Sequence, residues 1–104
     1  MLSFIESPSF AAVRDRYLDD DEFIVLQQHL AEHPNAGEVI PRSGGCRKLR
    51  WGAAGRGKRG GTRVIYFLRL GSGQIVLVTM YSKNVREDID PRLLRRIKED
   101  FERG

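Results

Sequence analysis

Residues 39–86 contain no aspartate and no glutamate, although they carry eleven lysine and arginine residues. The composition of residues 1–38 is the reverse, with two basic and eight acidic residues. Cations crowded together without anions repel one another, so such a segment indicates a binding surface for a polyanion. Catalytic metal pairs need carboxylate ligands, and only the flank of the segment offers them, at Glu87, Asp88 and Asp90. We therefore expect phosphate chemistry here to proceed without a metal.

Cysteine and long apolar runs are also scarce. Cys46 is the only cysteine in the sequence, which excludes an internal disulfide and a metal site built from cysteines alone. No apolar run approaches the ~18 residues of a membrane span. The start of the chain lacks the basic residues and apolar centre of a signal peptide. The sequence therefore predicts a cytoplasmic protein that has no membrane partner and holds no cofactor.

The first third of the chain predicts a strand and two helices within a single domain that spans residues 1–104. A short apolar run over residues 2–5 is typical of an edge strand. Ser7 and Pro8 are a capping residue and an N1 proline, which predict the start of a first helix. The acidic run of residues 19–22 suits the positive end of a second helix, and the proline after His33 stops that helix.

The rest of the chain predicts three strands and a third helix. Cys46 to Trp51 and Thr62 to Leu70 are two strands of a hairpin, joined by a long glycine-rich loop over residues 52–61. Gln74 to Tyr81 is apolar on both faces, as expected of a central strand. Asp90 followed by proline predicts the start of a C-terminal helix. The predicted class is α+β, with two N-terminal helices packed on a small, mainly antiparallel sheet and a C-terminal helix.

Strand alternation predicts which hairpin cations share a face. On the first strand Lys48 and Arg50 point to one side, while Leu49 and Trp51 point to the other. On the return strand, Arg63 and the following residue, Val64, point to opposite faces of the sheet. A hairpin can therefore bring the outward cations of both strands to one surface.

Three other motifs favour structural interpretations. Residues 52–58 match the first seven positions of a phosphate loop, but Arg59 replaces the magnesium-binding serine or threonine, and a strand follows where a helix is needed. His29 and His33 have a metal-compatible spacing, yet two ligands make an incomplete site, so we interpret them as surface residues. Cys46 precedes two cations, which can lower its pKa, but a partly buried strand residue is the favoured interpretation over a nucleophile.

If the cationic segment is reactive, RNA is the expected substrate, because its 2′-hydroxyl can attack the adjacent phosphorus without a metal-activated water. The reaction needs cations that stabilise charge on the phosphoryl oxygens, and groups that move two protons. Lys48, Arg50 and Arg63 are candidates for the first role, and Tyr66, Tyr81 and Lys83 for the second. A sheet that binds nucleic acid without reacting stays open as the alternative.

Four segments in this order resemble toxins of type II toxin–antitoxin systems in the RelE/HigB superfamily, closest to the HigB-like branch. They are GGCRKLR over residues 44–50, GKRGG over residues 57–61, RVIY over residues 63–66 and YSK over residues 81–83. The opening helices and the connection over residues 34–40 also resemble that branch, so the similarity covers essentially the whole chain.

The resemblance implies a compact fold and ribosome-dependent, metal-independent endoribonuclease activity on mRNA, which inhibits translation. It also implies a cognate antitoxin that is HigA-like and carries a helix-turn-helix domain, and contact with operator DNA only through the antitoxin complex. Lys48, Arg50 and Arg63 match the family's phosphate-binding positions, and Lys83 matches a basic position after the last strand. An inactive toxin relative, or a basic module that only binds RNA or DNA, is the alternative.

The predicted site follows from these assignments. The predicted catalytic residues are Lys48, Arg50, Arg63, Tyr81 and Lys83, and the predicted RNA- or ribosome-binding residues are Arg47, Arg56, Lys58, Arg59 and Tyr66. Some relatives carry an arginine after the last-strand lysine and a later tyrosine. Here Asn84 and roughly Asp90 stand at those places, and no tyrosine follows Tyr81. The proton-transfer group is therefore unassigned.

Overall fold

The computed structural model describes residues 2–52, 61–84 and 88–103. The described part contains five strands and three helices, which confirms the α+β prediction. In chain order they are β1 (Ser3–Glu6), α1 (Pro8–Tyr17), α2 (Asp20–Glu32), β2 (Glu38–Val39), β3 (Arg47–Trp51), β4 (Thr62–Arg69), β5 (Gln74–Ser82) and α3 (Pro91–Arg103), with a 3₁₀ turn at Leu70–Ser72.

The strands form one sheet in the order β1-β5-β4-β3-β2. All neighbouring pairs are antiparallel except β1 and β5, which are parallel. The first strand of the chain thus lies at one edge of the sheet, beside the last strand. Between β4 and β5 the register moves from Ile65 opposite Thr79 to Tyr66 opposite Leu77, which makes Val78 the extra residue of a bulge. The sheet is therefore mainly antiparallel, as predicted.

The predicted starts of α1 and α2 are confirmed by their caps. The Ser7 hydroxyl accepts from the backbone N–H of Phe10 and donates to the carbonyl of Val78, so one side chain caps α1 and ties it to β5. Asp19 and Glu22 form a reciprocal capping box at the start of α2. These local contacts explain why the sequence located both helices correctly.

The helices cover the two faces of the sheet. One apolar cluster joins α1 and α2 to the first face, and its members include Phe10, Leu26, Leu30, Val64, Tyr66 and Leu77. A second cluster joins α3 to the other face, and its members include Ile65, Phe67, Val76, Val78 and Leu94. Because β4 and β5 are buried on both sides, they read as continuous apolar runs in the sequence.

The C-terminal helix α3 begins where the sequence predicts. The Asp90 carboxylate accepts from the backbone N–H of Arg92, and Pro91 occupies the first helical position. The rings of Phe67 and Phe101 pack edge to face at 5.9 Å, which fixes α3 against β4. Within the described ranges, no helix has both the length and the apolar character needed to cross a membrane.

Candidate nucleic-acid interface

Two cations of β3 lie on the face of the sheet that α3 covers. Lys48 stands opposite Ile65, and Arg50 stands opposite Arg63, on the neighbouring strand β4. Cross-strand partners share a face, and Ile65 belongs to the cluster packed against α3. The predicted alternation of Lys48 and Arg50 is therefore confirmed, and it brings Arg63 to the same surface.

Arg50 and Arg63 form a like-charge pair directly across two strands. Such pairs destabilise a sheet, because the Cβ atoms of directly opposed residues are only ~4.5–5.5 Å apart and the two like charges repel each other. Arg63 is 7% exposed, so the surrounding protein holds its side chain in a defined place, whereas Arg50 is exposed to solvent. The Arg63 guanidinium also donates to the carbonyl of Thr62 at 3.4 Å. An anion that binds beside the two arginines can accept hydrogen bonds from both guanidinium groups.

These cations line a groove with a volume of about 510 Å³. Lys83, which follows β5, joins it from the neighbouring strand end, where its backbone N–H donates to the carbonyl of Gly61 at 2.8 Å. The described lining consists of Ala36, Glu38, Lys48, Leu49, Arg50, Arg63, Lys83 and Asp88. Four of the five residues predicted to be catalytic therefore meet in one groove, although they come from three different places in the sequence.

The groove also holds two carboxylates that the sequence analysis left out of the site. Glu38 stands opposite Lys48 on β2, and Asp88 accepts a hydrogen bond from the Lys48 ammonium at 3.0 Å. Residues 39–86 contain no acidic residue, but the groove that they help to form does contain acidic side chains. Asp88 was named as a flanking acid, whereas the only signal for Glu38 was its pairing register, which composition does not reveal.

Tyr81 does not join the groove, although it is the cross-strand partner of Arg63. Its side chain is 6% exposed and belongs to the apolar cluster under α3. It borders a separate cavity of about 320 Å³ between α1 and α3, which Ser9, Val13 and Leu93 also line. Tyr81 therefore packs in the apolar cluster beside Arg63, and its predicted role in proton transfer stays a prediction.

Arg47 lies on the opposite face of the sheet from Lys48, since its partner on β4 is Tyr66. Its guanidinium donates to the carbonyl of Gly37 at 2.7 Å and to that of Asn35 at 3.3 Å. These bonds hold the connection between α2 and β2. The predicted RNA contact at Arg47 is replaced by this structural role, because the guanidinium is already engaged away from the groove.

Tyr66 is fully buried, so its predicted RNA contact is wrong for this fold. Its hydroxyl accepts from the backbone N–H of Gly37 at 2.9 Å and donates to the carbonyl of Pro34 at 2.8 Å. A Cβ added at Gly37 would lie 3.0 Å from the Tyr66 ring and 3.0 Å from the Lys48 carbonyl, so only glycine fits there without a shift. Burial raises the pKa of the Tyr66 hydroxyl, which is consistent with a neutral donor in the core.

The remaining predicted RNA-binding residues, Arg56, Lys58 and Arg59, lie outside the described residues. The same applies to most of the segment that resembles a phosphate loop, because residues 53–60 are not described. The strands that flank this segment are β3 and β4, in agreement with the predicted hairpin.

His29 on α2 contacts both His33, which caps the end of that helix, and Trp51. The ring of His29 lies 5.2 Å from that of His33 and 5.2 Å from that of Trp51. His33 is exposed, and His29 is half-buried. Across residues 2–52, 61–84 and 88–103, no three histidine, cysteine, aspartate or glutamate side chains cluster as metal ligands. Metal-free chemistry stays a prediction from the sequence.

Cys46 is buried between β3 and α3, and its thiol lies 3.9 Å from the carbonyl of Leu94. Burial raises the pKa of the Cys46 thiol to about 11, opposite to the lowering that the adjacent cations suggested. The prediction that Cys46 is a packing residue rather than a nucleophile agrees with this environment. Because the neutral thiol is favoured in the fold, its contribution to stability is present below pH 9.0 and is lost as the pH rises toward 11.

We expect Cys46 in the native protein to react very slowly with a thiol reagent at pH 8, where only about one thiol in a thousand is ionised. The measurement is the rate of labelling by a chromogenic disulfide, compared with that of the same protein unfolded in urea. Fast labelling of the native protein, at a rate close to that of the unfolded chain, would contradict the buried environment.

A comparison of the chain with models of known protein families finds no match.

Proposed function

We propose that this protein is the toxin of a type II toxin–antitoxin system and acts as a ribosome-dependent, metal-independent endoribonuclease on mRNA. One observation carries the proposal: Arg50 and Arg63 oppose each other across two strands in a groove that Lys48 and Lys83 also line. Such a set can surround one phosphodiester. The resemblance of the sequence to RelE/HigB toxins supplies the choice of RNA and of the ribosome.

The proposed reaction is attack by the 2′-oxygen on the adjacent phosphorus. A bond forms from the 2′-oxygen to phosphorus, the bond from phosphorus to the 5′-oxygen breaks, and the products are a 2′,3′-cyclic phosphate and a 5′-hydroxyl. The arginines stabilise the charge that develops on the non-bridging oxygens. One group must accept the 2′-proton and another must donate a proton to the leaving oxygen.

The groove contains both kinds of proton-transfer group. Glu38 and Asp88 are carboxylates that can accept a proton, and Lys48 and Lys83 are ammonium groups that can donate one. Lys83 was already a sequence-based candidate for proton transfer, and the groove adds Glu38, Asp88 and Lys48 to the candidates. Tyr66 is fully buried in the first apolar cluster.

The ion pair between Lys48 and Asp88 does not close the groove to RNA. The Asp88 side chain is 75% exposed and that of Lys48 is 33% exposed. Pairs this exposed contribute only about 0–1 kcal/mol, because water and salt screen them. A phosphate that carries further contacts to Arg50 and Arg63 can displace the carboxylate from Lys48 at small cost.

The resemblance also supplies the partners in this proposal. A cognate antitoxin, HigA-like and with a helix-turn-helix domain, holds the protein inactive, and the complex rather than the free chain binds operator DNA. The site of action is the ribosome with its mRNA, which places the protein in the cytoplasm.

Induced expression of the chain without an antitoxin tests the proposal. We expect growth arrest and new mRNA 5′ ends within translated regions, mapped by sequencing of transcripts before and after induction. An Arg63→Gln chain, expressed to the same level, serves as the inactive comparison. Normal growth and intact transcripts in cells that contain folded wild-type protein would overturn the toxin assignment. Tight RNA binding by that protein without cleavage would support the non-catalytic alternative.

A further inference from the structure

The charges of α3 run against the electrostatics of the helix. Its first half carries three arginines, Arg92, Arg95 and Arg96. Its second half carries the acids Glu99, Asp100 and Glu102 together with Lys98 and Arg103. Cations are unfavourable near the positive end of a helix and anions near its negative end. The helix α2 follows the favourable order, with Asp20, Asp21 and Glu22 in its first turn. The three arginines in the first half of α3 are therefore not explained by helix stability.

The three arginines in the first half of α3 are exposed and form few ion pairs or hydrogen bonds. Arg95 and Arg96 form no hydrogen bond or ion pair with any part of the chain that the structure describes. Arg92 pairs with Asp90 at 3.2 Å, but its side chain is 88% exposed. A shallow surface depression of about 380 Å³ is lined by the three arginines together with Glu99. They are thus free to meet an anionic partner.

A fourth arginine stands nearby in an unfavourable backbone conformation. Arg42 has a φ of 63°, in the left-handed region that residues other than glycine rarely adopt. The turn that contains it packs against α3, because a Cβ added at Gly44 would lie 3.3 Å from the Arg95 side chain. Arg42 is exposed and has no described partner. We call these four residues the α3 arginine cluster: Arg42, Arg92, Arg95 and Arg96.

A second groove connects the cluster to the candidate cleavage groove. It has a volume of about 310 Å³ and shares Glu38, Lys48 and Asp88 with the first groove. It is also lined by Arg42 and by Pro91, which is the residue before Arg92. A chain that leaves the cleavage groove along this path therefore arrives at the α3 arginine cluster.

We propose that the α3 arginine cluster is a second phosphate-binding surface that holds RNA outside the cleavage groove. The inference rests on the proposed function, because the path between the two surfaces matters only if the first one binds RNA. The guanidinium groups contact backbone phosphates without reading the sequence, so they add affinity and orientation rather than codon preference.

The composition of this surface favours RNA over an acidic protein. A stable protein–protein interface has an apolar centre surrounded by polar residues. Leu93 is the one exposed large hydrophobic side chain among the described residues of α3. Nucleic-acid interfaces are more polar and far more positively charged, as this surface is.

The test uses a double variant, Arg95→Gln with Arg96→Gln, which keeps most of each aliphatic stem. The control, Arg16→Gln with Arg103→Gln, changes the formal charge equally at exposed positions of α1 and the last turn of α3. The probes are a single-stranded 20-mer and a hairpin duplex, both fully 2′-O-methylated so that no 2′-hydroxyl is left to attack. Fluorescence anisotropy gives Kd at several salt concentrations.

The double variant is expected to bind RNA about tenfold more weakly than the wild type near physiological salt. Its slope of log Kd against log salt concentration should fall by about 1.4 on the single strand or 1.8 on the duplex, for two lost phosphate contacts. The probe whose slope falls by the value expected for two contacts is the RNA form that the cluster contacts. The melting temperature should equal or exceed that of the wild type, because the removed charges oppose the helix dipole.

A third variant, Arg42→Asn, approaches the cluster from a different element. Asparagine tolerates the left-handed conformation better than arginine, so we expect unchanged or higher stability together with weaker RNA binding. A purely structural role for Arg42 predicts the opposite, namely lower stability and unchanged affinity.

Equal Kd and equal salt slope for the wild type and the double variant would overturn the inference. Unchanged RNA binding together with lost binding to a poly-glutamate peptide would also overturn it, and would assign the cluster to an acidic protein. These failures are distinct from failure of the proposed function. If the proposed function fails, the wild type itself leaves mRNA intact on the ribosome, whether or not the α3 arginine cluster binds RNA.

Discussion

Replacing Arg63 with glutamine is expected to slow mRNA cleavage by about 10²- to 10³-fold, the usual cost of removing one group that stabilises charge in a transition state. Arg63 is the most buried cation of the groove, and its register opposite Arg50 aims both side chains at one position. Glutamine keeps a polar side chain of intermediate length, so the change removes the charge with little loss of packing. The measurement is the single-turnover rate of cleavage on programmed ribosomes.

A lysine at the same position separates charge from geometry. Arg63→Lys retains the positive charge but loses the planar pair of donors that contacts a phosphate in bidentate fashion. We expect its cleavage rate to lie between those of the wild type and Arg63→Gln. If both variants lose activity equally, the bidentate geometry is what the reaction requires.

The control for both variants is Arg69→Gln. Arg69 lies on the same strand, about 20 Å away from Arg63 at ~3.3 Å per residue, and donates to the side chain of Gln74 at 3.1 Å. Its loss should leave the cleavage rate unchanged. A wild-type rate for Arg63→Gln, in protein with an unchanged melting temperature, would remove Arg63 from the reaction site and leave the groove as a binding surface.

Replacing Tyr66 with phenylalanine is expected to lower the free energy of unfolding by about 1–3 kcal/mol, because a buried polar group loses its partner. The Tyr66 hydroxyl bonds both the N–H of Gly37 and the carbonyl of Pro34, in the connection that carries Glu38 into the groove. Phenylalanine preserves the ring that packs between β4 and the first two helices. Urea denaturation followed by circular dichroism gives the change.

The pH dependence of stability provides a second measurement on Tyr66. Its pKa is raised above the ordinary value of 10.0, so the neutral hydroxyl is favoured in the fold. The stability that follows from this is present below pH 10.0 and is lost as the pH rises through the raised value. When the pH is raised from below 10.0 to above the raised pKa of Tyr66, Tyr66→Phe should therefore lose less stability than the wild type.

The same variant distinguishes the core role of Tyr66 from the RNA contact that the sequence suggested. If the core role is correct, folded Tyr66→Phe binds RNA as tightly as the wild type. Unchanged stability together with weakened RNA binding would show that the hydroxyl reaches the ligand, and would contradict its burial.

Local chemistry made most of the secondary structure predictable. The starts of α1, α2 and α3 follow from Ser7, Asp19 and Asp90, whose side chains bond backbone groups within three residues. The apolar run of β5 followed from burial on both faces. The pairing of β1 beside β5 was not predictable, because it joins segments about seventy residues apart in the chain.

The site was predictable only where strand alternation decides it. Lys48 and Arg50 were placed on one face correctly, because successive side chains on a strand point to opposite sides. The burial of Tyr66 and Tyr81 was not predictable, because a tyrosine in a strand has the same local sequence pattern whether its face is exposed to solvent or covered by a helix. Glu38 was missed because an acidic residue before the basic segment gives no sign of its partner across the sheet.

The sequence by itself determined the charge segregation, the helix starts and the alternation of cations along the hairpin, since these depend on neighbours within a few residues. Only the tertiary structure decided that Arg50 faces Arg63, that Lys83, Glu38 and Asp88 join the same groove, and that the second groove reaches α3. The physical reason is that strand register and helix placement minimise the exposed apolar area of the whole sheet. Residues distant in sequence therefore meet as a consequence of packing that no single segment encodes.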